Sequence, residues 1–123
     1  MKEILIYILG EDLAKVLDIL KKHNVGGIAF YEINGAGRVA REAVPEMVRA
    51  YQTGKKVTPE HVKRTKVEAI VRDSAMNQIV DDISNSLGQH AGDKARGMIF
   101  IKDVSDAYEL GTKQRGEAVL TRE

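Results

Sequence analysis

The chain has 123 residues, with 19 Lys plus Arg against 18 Asp plus Glu and a formal charge of +1. It is long enough for one compact domain, and the charge balance excludes a histone-like basic protein and an acidic disordered tail. The absence of Cys excludes a disulfide framework, a thiol nucleophile and a cysteine zinc site, and it suits a reducing cytoplasm.

Aromatic residues are 5% of the chain and Trp is absent, so a stacking platform for single-stranded nucleic acid is poorly supplied. The apolar run Ile4 to Leu9 is too short for a membrane span or the apolar part of a signal peptide. The sequence therefore points to a cytoplasmic protein that inserts into no membrane and binds no nucleic acid.

Glu3 to Leu9 reads as a strand. Its odd and even positions are both apolar, as in a strand covered on both faces. Leu13, Val16, Leu17 and Leu20 then fall at helical spacing. Glu11 and Asp12 precede them and Lys21, Lys22 and His23 follow, in keeping with the helix dipole. Asn24, Gly26 and Gly27 end that helix, and Ile28 to Ile33 alternates as a second strand. Thr65 to Val71 alternates as a third strand, with Ile70 as the exception. Asp73 or Ser74 is placed to cap a helix with the apolar stripe Met76, Ile79, Val80, Ile83 and Leu87, and Gly88 to end it. Met98 to Ile101 reads as a fourth strand.

The order strand, helix, strand, strand, helix, strand is the split βαβ arrangement of α+β ferredoxin-like domains. It places two helices on one face of a four-stranded antiparallel sheet. The other face is expected to meet another subunit; the alternative is that the tail from Val104 onward folds over it.

Gly35 to Lys63 exceeds an ordinary connection. It carries six basic and three acidic residues, which suits a phosphate-bearing ligand or an acidic partner surface, or else a plain solvated loop. Pro45 and the pair Thr58 and Pro59 are placed to start short helical turns. Met47, Val48 and Tyr51 would share one face of the first, either as a partner patch or packed back on the body. Gly35, Gly37 and Arg38 at the loop's start, with Lys94, Arg96 and Gly97 before the fourth strand, could together cradle one phosphate chain. The three His are dispersed without ligand spacing, so no metal site is predicted. Neither a nucleophile elbow nor a paired-carboxylate cleft pattern stands out, so the chain reads as non-enzymatic.

These residues resemble the PII signal-transduction proteins, also called GlnB or GlnK proteins. The likeness covers most of the chain. It rests on the element order, on Glu32 through Gly35, Ala36, Gly37 and Arg38, on Lys66, Val67 and Glu68, on Gly97 through Phe100, and on Arg115, Gly116, Glu117 and Ala118. The resemblance implies one domain over residues 1–123, with a T-loop at 35–63, a B-loop at 88–97 and a C-loop at 106–116. It implies a homotrimeric regulator that binds an adenine nucleotide between subunits and controls a membrane transporter or metabolic enzyme through the T-loop, as in nitrogen regulation. Gly35, Gly37, Arg38 and Gly97 would border the nucleotide, with Lys94 and Arg96 as added cations. Arg41, Met47, Arg49 and Tyr51 would face the partner, and Tyr51 could accept a nucleotidyl group, as a T-loop tyrosine does in some relatives.

The chain departs from the family pattern at four places. Val39 stands where Gln is typical, Met98 where Lys is, and Glu109 and Gly111 where phosphate-binding arginines are. These losses favour AMP or ADP over ATP and argue against 2-oxoglutarate as a strong ligand. Two alternatives remain at this level: a PII-like regulator of inorganic-carbon or metal transport with a different small anion, or a ligand-free structural oligomer.

Overall fold

The computed structural model describes residues 1–34, 63–87 and 97–121. Strand β1 spans Lys2–Ile8. A 3-10 turn at Gly10–Asp12 leads into helix α1, Leu13–Lys22, so Glu11 and Asp12 belong to this separate turn and Asp12 is buried. Strand β2 is Ile28–Asn34, β3 is Lys63–Val71, helix α2 is Asp73–Leu87 and β4 is Gly97–Asp103. Lys63 pairs with Asn34 inside the sheet, so the long segment between β2 and β3 ends at residue 62. Gly97 likewise pairs with Ile8 and is the first residue of β4.

The sheet order is β2-β3-β1-β4, with every pairing antiparallel. This is the ferredoxin-like order, with β1 and β3 central and β2 and β4 at the edges.

The end of α1 follows from its sequence. Asn24 has φ of +60°, which Asn tolerates better than most residues. The Val25 N–H donates to the Leu20 carbonyl at 3.0 Å and the Asn24 N–H to the Lys21 carbonyl at 3.0 Å. These two bonds form a Schellman motif that satisfies orphan carbonyls and turns the chain into β2. Asp73 is the first residue of α2.

The core lies between the helices and one sheet face. Ile4, Ile6 and Ile8 of β1 and Val67, Ala69 and Val71 of β3 meet Val16 and Leu20 of α1 and Ile79, Ile83 and Leu87 of α2. Strand alternation sends the next residues to the opposite face. There Tyr31, Met98 and Phe100 remain 44%, 58% and 47% exposed, so the described part of the tail does not cover them.

Candidate functional site

Register builds rows across the open face that lie far apart in the chain. Tyr31 is opposite Lys66, Lys66 opposite Tyr7, and Tyr7 opposite Met98. The next row is Ala29, Glu68, Leu5 and Phe100. The Lys66 ammonium lies 5.5 Å from the Tyr7 ring centroid and 5.7 Å from that of Tyr31, within cation–π reach of both. It also lies 3.2 Å from Glu68 Oε1, which accepts a 2.7 Å hydrogen bond from the Tyr31 hydroxyl. Tyr7 and Phe100 meet edge to face at 5.6 Å.

The Tyr31 hydroxyl, followed by Glu68, holds the Lys66 ammonium above the ordinary lysine range. The Tyr31 hydroxyl and then Lys66 hold the Glu68 carboxyl below its own. Both groups are therefore charged through neutral pH. The cluster acts as a matched charge pair set among aromatic rings.

The segment after β4 forms a second organised region. Tyr108 bridges to Arg115, and the Arg115 guanidinium carbon lies 4.8 Å from the Tyr108 ring centroid. Arg115 Nε donates to Asp106 Oδ2 at 2.8 Å, while Asp106 Oδ1 accepts from the Ala107 N–H at 2.8 Å. The Arg115 bond, followed by the Ala107 bond, holds the Asp106 carboxyl below the usual carboxylate range. Glu109 turns inward on its own loop: its carboxylate accepts from the Gly111 N–H at 3.0 Å and the Thr112 N–H at 2.8 Å. The carboxylate thereby braces the loop from within.

Of the residues expected at the ligand, Gly97 alone lies among those described. A Cβ there would sit 2.3 Å from the Tyr7 carbonyl oxygen and 3.3 Å from Ile8 Cγ2, so close strand packing requires the glycine. Gly35, Gly37, Arg38, Lys94 and Arg96 fall outside the described residues, as do Arg41, Met47, Arg49 and Tyr51 and the departure at Val39. Met98 stands on the open face.

His23 sits at the C-terminal end of α1, as read from the sequence, and also joins the two helices, with Nε2 2.6 Å from Asp82 Oδ2. The sequence gives no direct sign of the Tyr7, Tyr31, Lys66 and Glu68 cluster; its signal is the strand register. Among the described residues no group of three or more His, Asp or Glu could hold a metal ion, and no helix is long and apolar enough to cross a membrane.

The model of the nitrogen regulatory protein P-II family matches residues 1–114. No curated protein matches the chain.

Proposed function

Because the chain belongs to the nitrogen regulatory protein P-II family, whose members are generally regulatory and non-enzymatic, we propose that it is a cytoplasmic sensor. In this reading three copies associate through their open sheet faces and bind an adenine nucleotide between subunits. The segment 35–62 then grips or releases a membrane transporter or metabolic enzyme. The observation that carries the reading is the match over residues 1–114, joined to a sheet face that keeps Tyr31, Met98 and Phe100 exposed. Such a face suits burial against other copies.

Within this proposal Gly35, Gly37 and Arg38 border the phosphates, and Lys94 and Arg96 add positive charge. AMP or ADP is preferred to ATP because Met98, Glu109 and Gly111 supply no cation for a longer anion. At Glu109 the carboxylate accepts hydrogen bonds from the Gly111 and Thr112 N–H groups rather than offering a cation to a phosphate. Val39 argues against metal-assisted binding of 2-oxoglutarate. Arg41, Met47, Arg49 and Tyr51 are the proposed partner contacts.

Native mass spectrometry and titration calorimetry with AMP, ADP and ATP, each with and without magnesium, test the proposal. The expected result is a trimer that binds AMP or ADP more tightly than ATP. Arg38→Ala should weaken binding roughly ten- to hundredfold, the scale of a lost hydrogen bond to a charged group. A monomer at micromolar concentration, or an intact trimer that binds no adenine nucleotide at millimolar concentration, would overturn it.

A further inference from the structure

A cavity of about 680 Å³ lies at the end of the sheet, within the size range of small-molecule pockets. Its floor is the turn from His23 to Gly27 together with Ile70, Val71, Arg72 and Ala75. Its remaining wall is Val119 and Leu120, which belong to the 3-10 turn Gly116–Thr121. The cavity thus has fixed sides built on the sheet and α2, and one side built on a short turn.

That turn is attached differently from the other walls. Gly116 leaves the braced 106–115 segment with φ of +72°, directly after its N–H donates to the Ala107 carbonyl at 2.8 Å. A Cβ at Gly116 would meet nothing within 4 Å. Arg72 and Glu117 face each other at 3.8 Å across the cavity's rim, both with exposed side chains. Exposed pairs of this kind contribute little and are weakened by salt. Val119 and Leu120 are only half-buried.

We propose that the Gly116–Thr121 turn is a releasable wall, pivoting at Gly116 and latched by Arg72 and Glu117, that opens and closes the cavity beside the His23 to Gly27 turn. Elements with few buried contacts open far below the free energy of global unfolding, which gives such a wall an accessible open state. Opening removes Val119 and Leu120 from the floor and uncovers His23 and Val25, which are half-buried while the wall is in place. The proposal stands whether or not the protein binds a nucleotide.

Hydrogen exchange on the intact protein tests it, with the core strand β1 as the internal standard. Residues 116–121 should exchange at least about a hundredfold faster than β1, since they open without global unfolding. Glu117→Gln should raise exchange in 116–121 and in 23–27 together by about two- to fivefold, the scale of an exposed ion pair, and leave β1 unchanged. Gly116→Ala places a side chain in the left-handed region without a clash, and the strain should raise exchange in the same two segments by about five- to thirtyfold. Protection of 116–121 equal to that of β1 would overturn the proposal. So would a rise in 116–121 with no change in 23–27, or a rise spread over the whole chain.

Discussion

Replacing Gly97 with Ala separates two roles that the sequence leaves entangled. In one, Gly97 lets backbone approach a phosphate; in the other, it lets β4 approach β1. The added methyl carbon would lie 2.3 Å from the Tyr7 carbonyl oxygen, against backbone that cannot rotate aside as a side chain could. Relief requires the start of β4 to move away from Ile8, loosening the pairing at that end. Overpacking of this kind costs about 1–3 kcal/mol. For a domain of this size each kcal/mol lowers the melting temperature by roughly 4 °C, so Gly97→Ala should melt about 4–12 °C lower. Gly27→Ala is the control, because a Cβ there meets nothing within 4 Å. Differential scanning calorimetry of both variants without nucleotide decides the matter. If Gly97→Ala melts with the parent protein, the close-approach argument is wrong and the glycine's purpose lies at the ligand.

The remaining tests address other parts of the molecule. Asp82→Asn should lower stability, because it weakens the 2.6 Å contact with His23 that joins the two helices, and a double-mutant cycle with His23→Ala should give a coupling of about 0.5–3 kcal/mol, the range for contacting groups. Tyr31→Phe removes the principal cause of the depressed Glu68 pKa, so carbon-detected NMR should find this carboxyl titrating closer to its ordinary value. The Asp106 carboxyl is also held below its unfolded value near 3.8. Its stabilisation is therefore present above that pH and is lost as pH falls through the lower folded pKa; exchange protection across 106–116 should decline in that acid window, and Asp106→Asn should remove the dependence. Phe100→Glu places a charge on the open face, and native mass spectrometry should then show a shift from the proposed trimer toward monomer.

The elements were legible where one face of each is buried. Thr65, Val67, Ala69 and Val71 alternate because β3 packs one side on both helices, and Ile4, Ile6 and Ile8 are its counterparts in β1. The second apolar set in β1 was equally informative: Leu5 and Tyr7 lie on the face without helices. Features that depend on register were not legible. Tyr7, Tyr31, Lys66 and Met98 form one row only because three antiparallel pairings bring positions from four strands together. Glu109 was hidden for a different reason, since the sign of a charge says nothing about whether its own loop turns back to meet it.

The charged cluster also bears on how an open face could accept another copy. Burying a lone ammonium under a second subunit would carry a large desolvation cost. Here the Lys66 ammonium already lies 3.2 Å from Glu68 and near two tyrosine rings, and Glu68 already accepts the Tyr31 hydroxyl. The charges are thus matched within one chain before any association, and a covering copy need not provide a counter-ion. Met98 and Phe100, on the edge strand beside them, supply apolar surface whose burial favours association. Lys66→Ala should therefore weaken assembly, because it leaves the Glu68 carboxylate without its cation on a face to be buried. Lys66→Met together with Glu68→Leu removes both charges and keeps apolar bulk, and should retain assembly. Sedimentation velocity distinguishes the cases. If the single variant assembles as tightly as the parent, or if the double variant dissociates, the argument for internal matching fails.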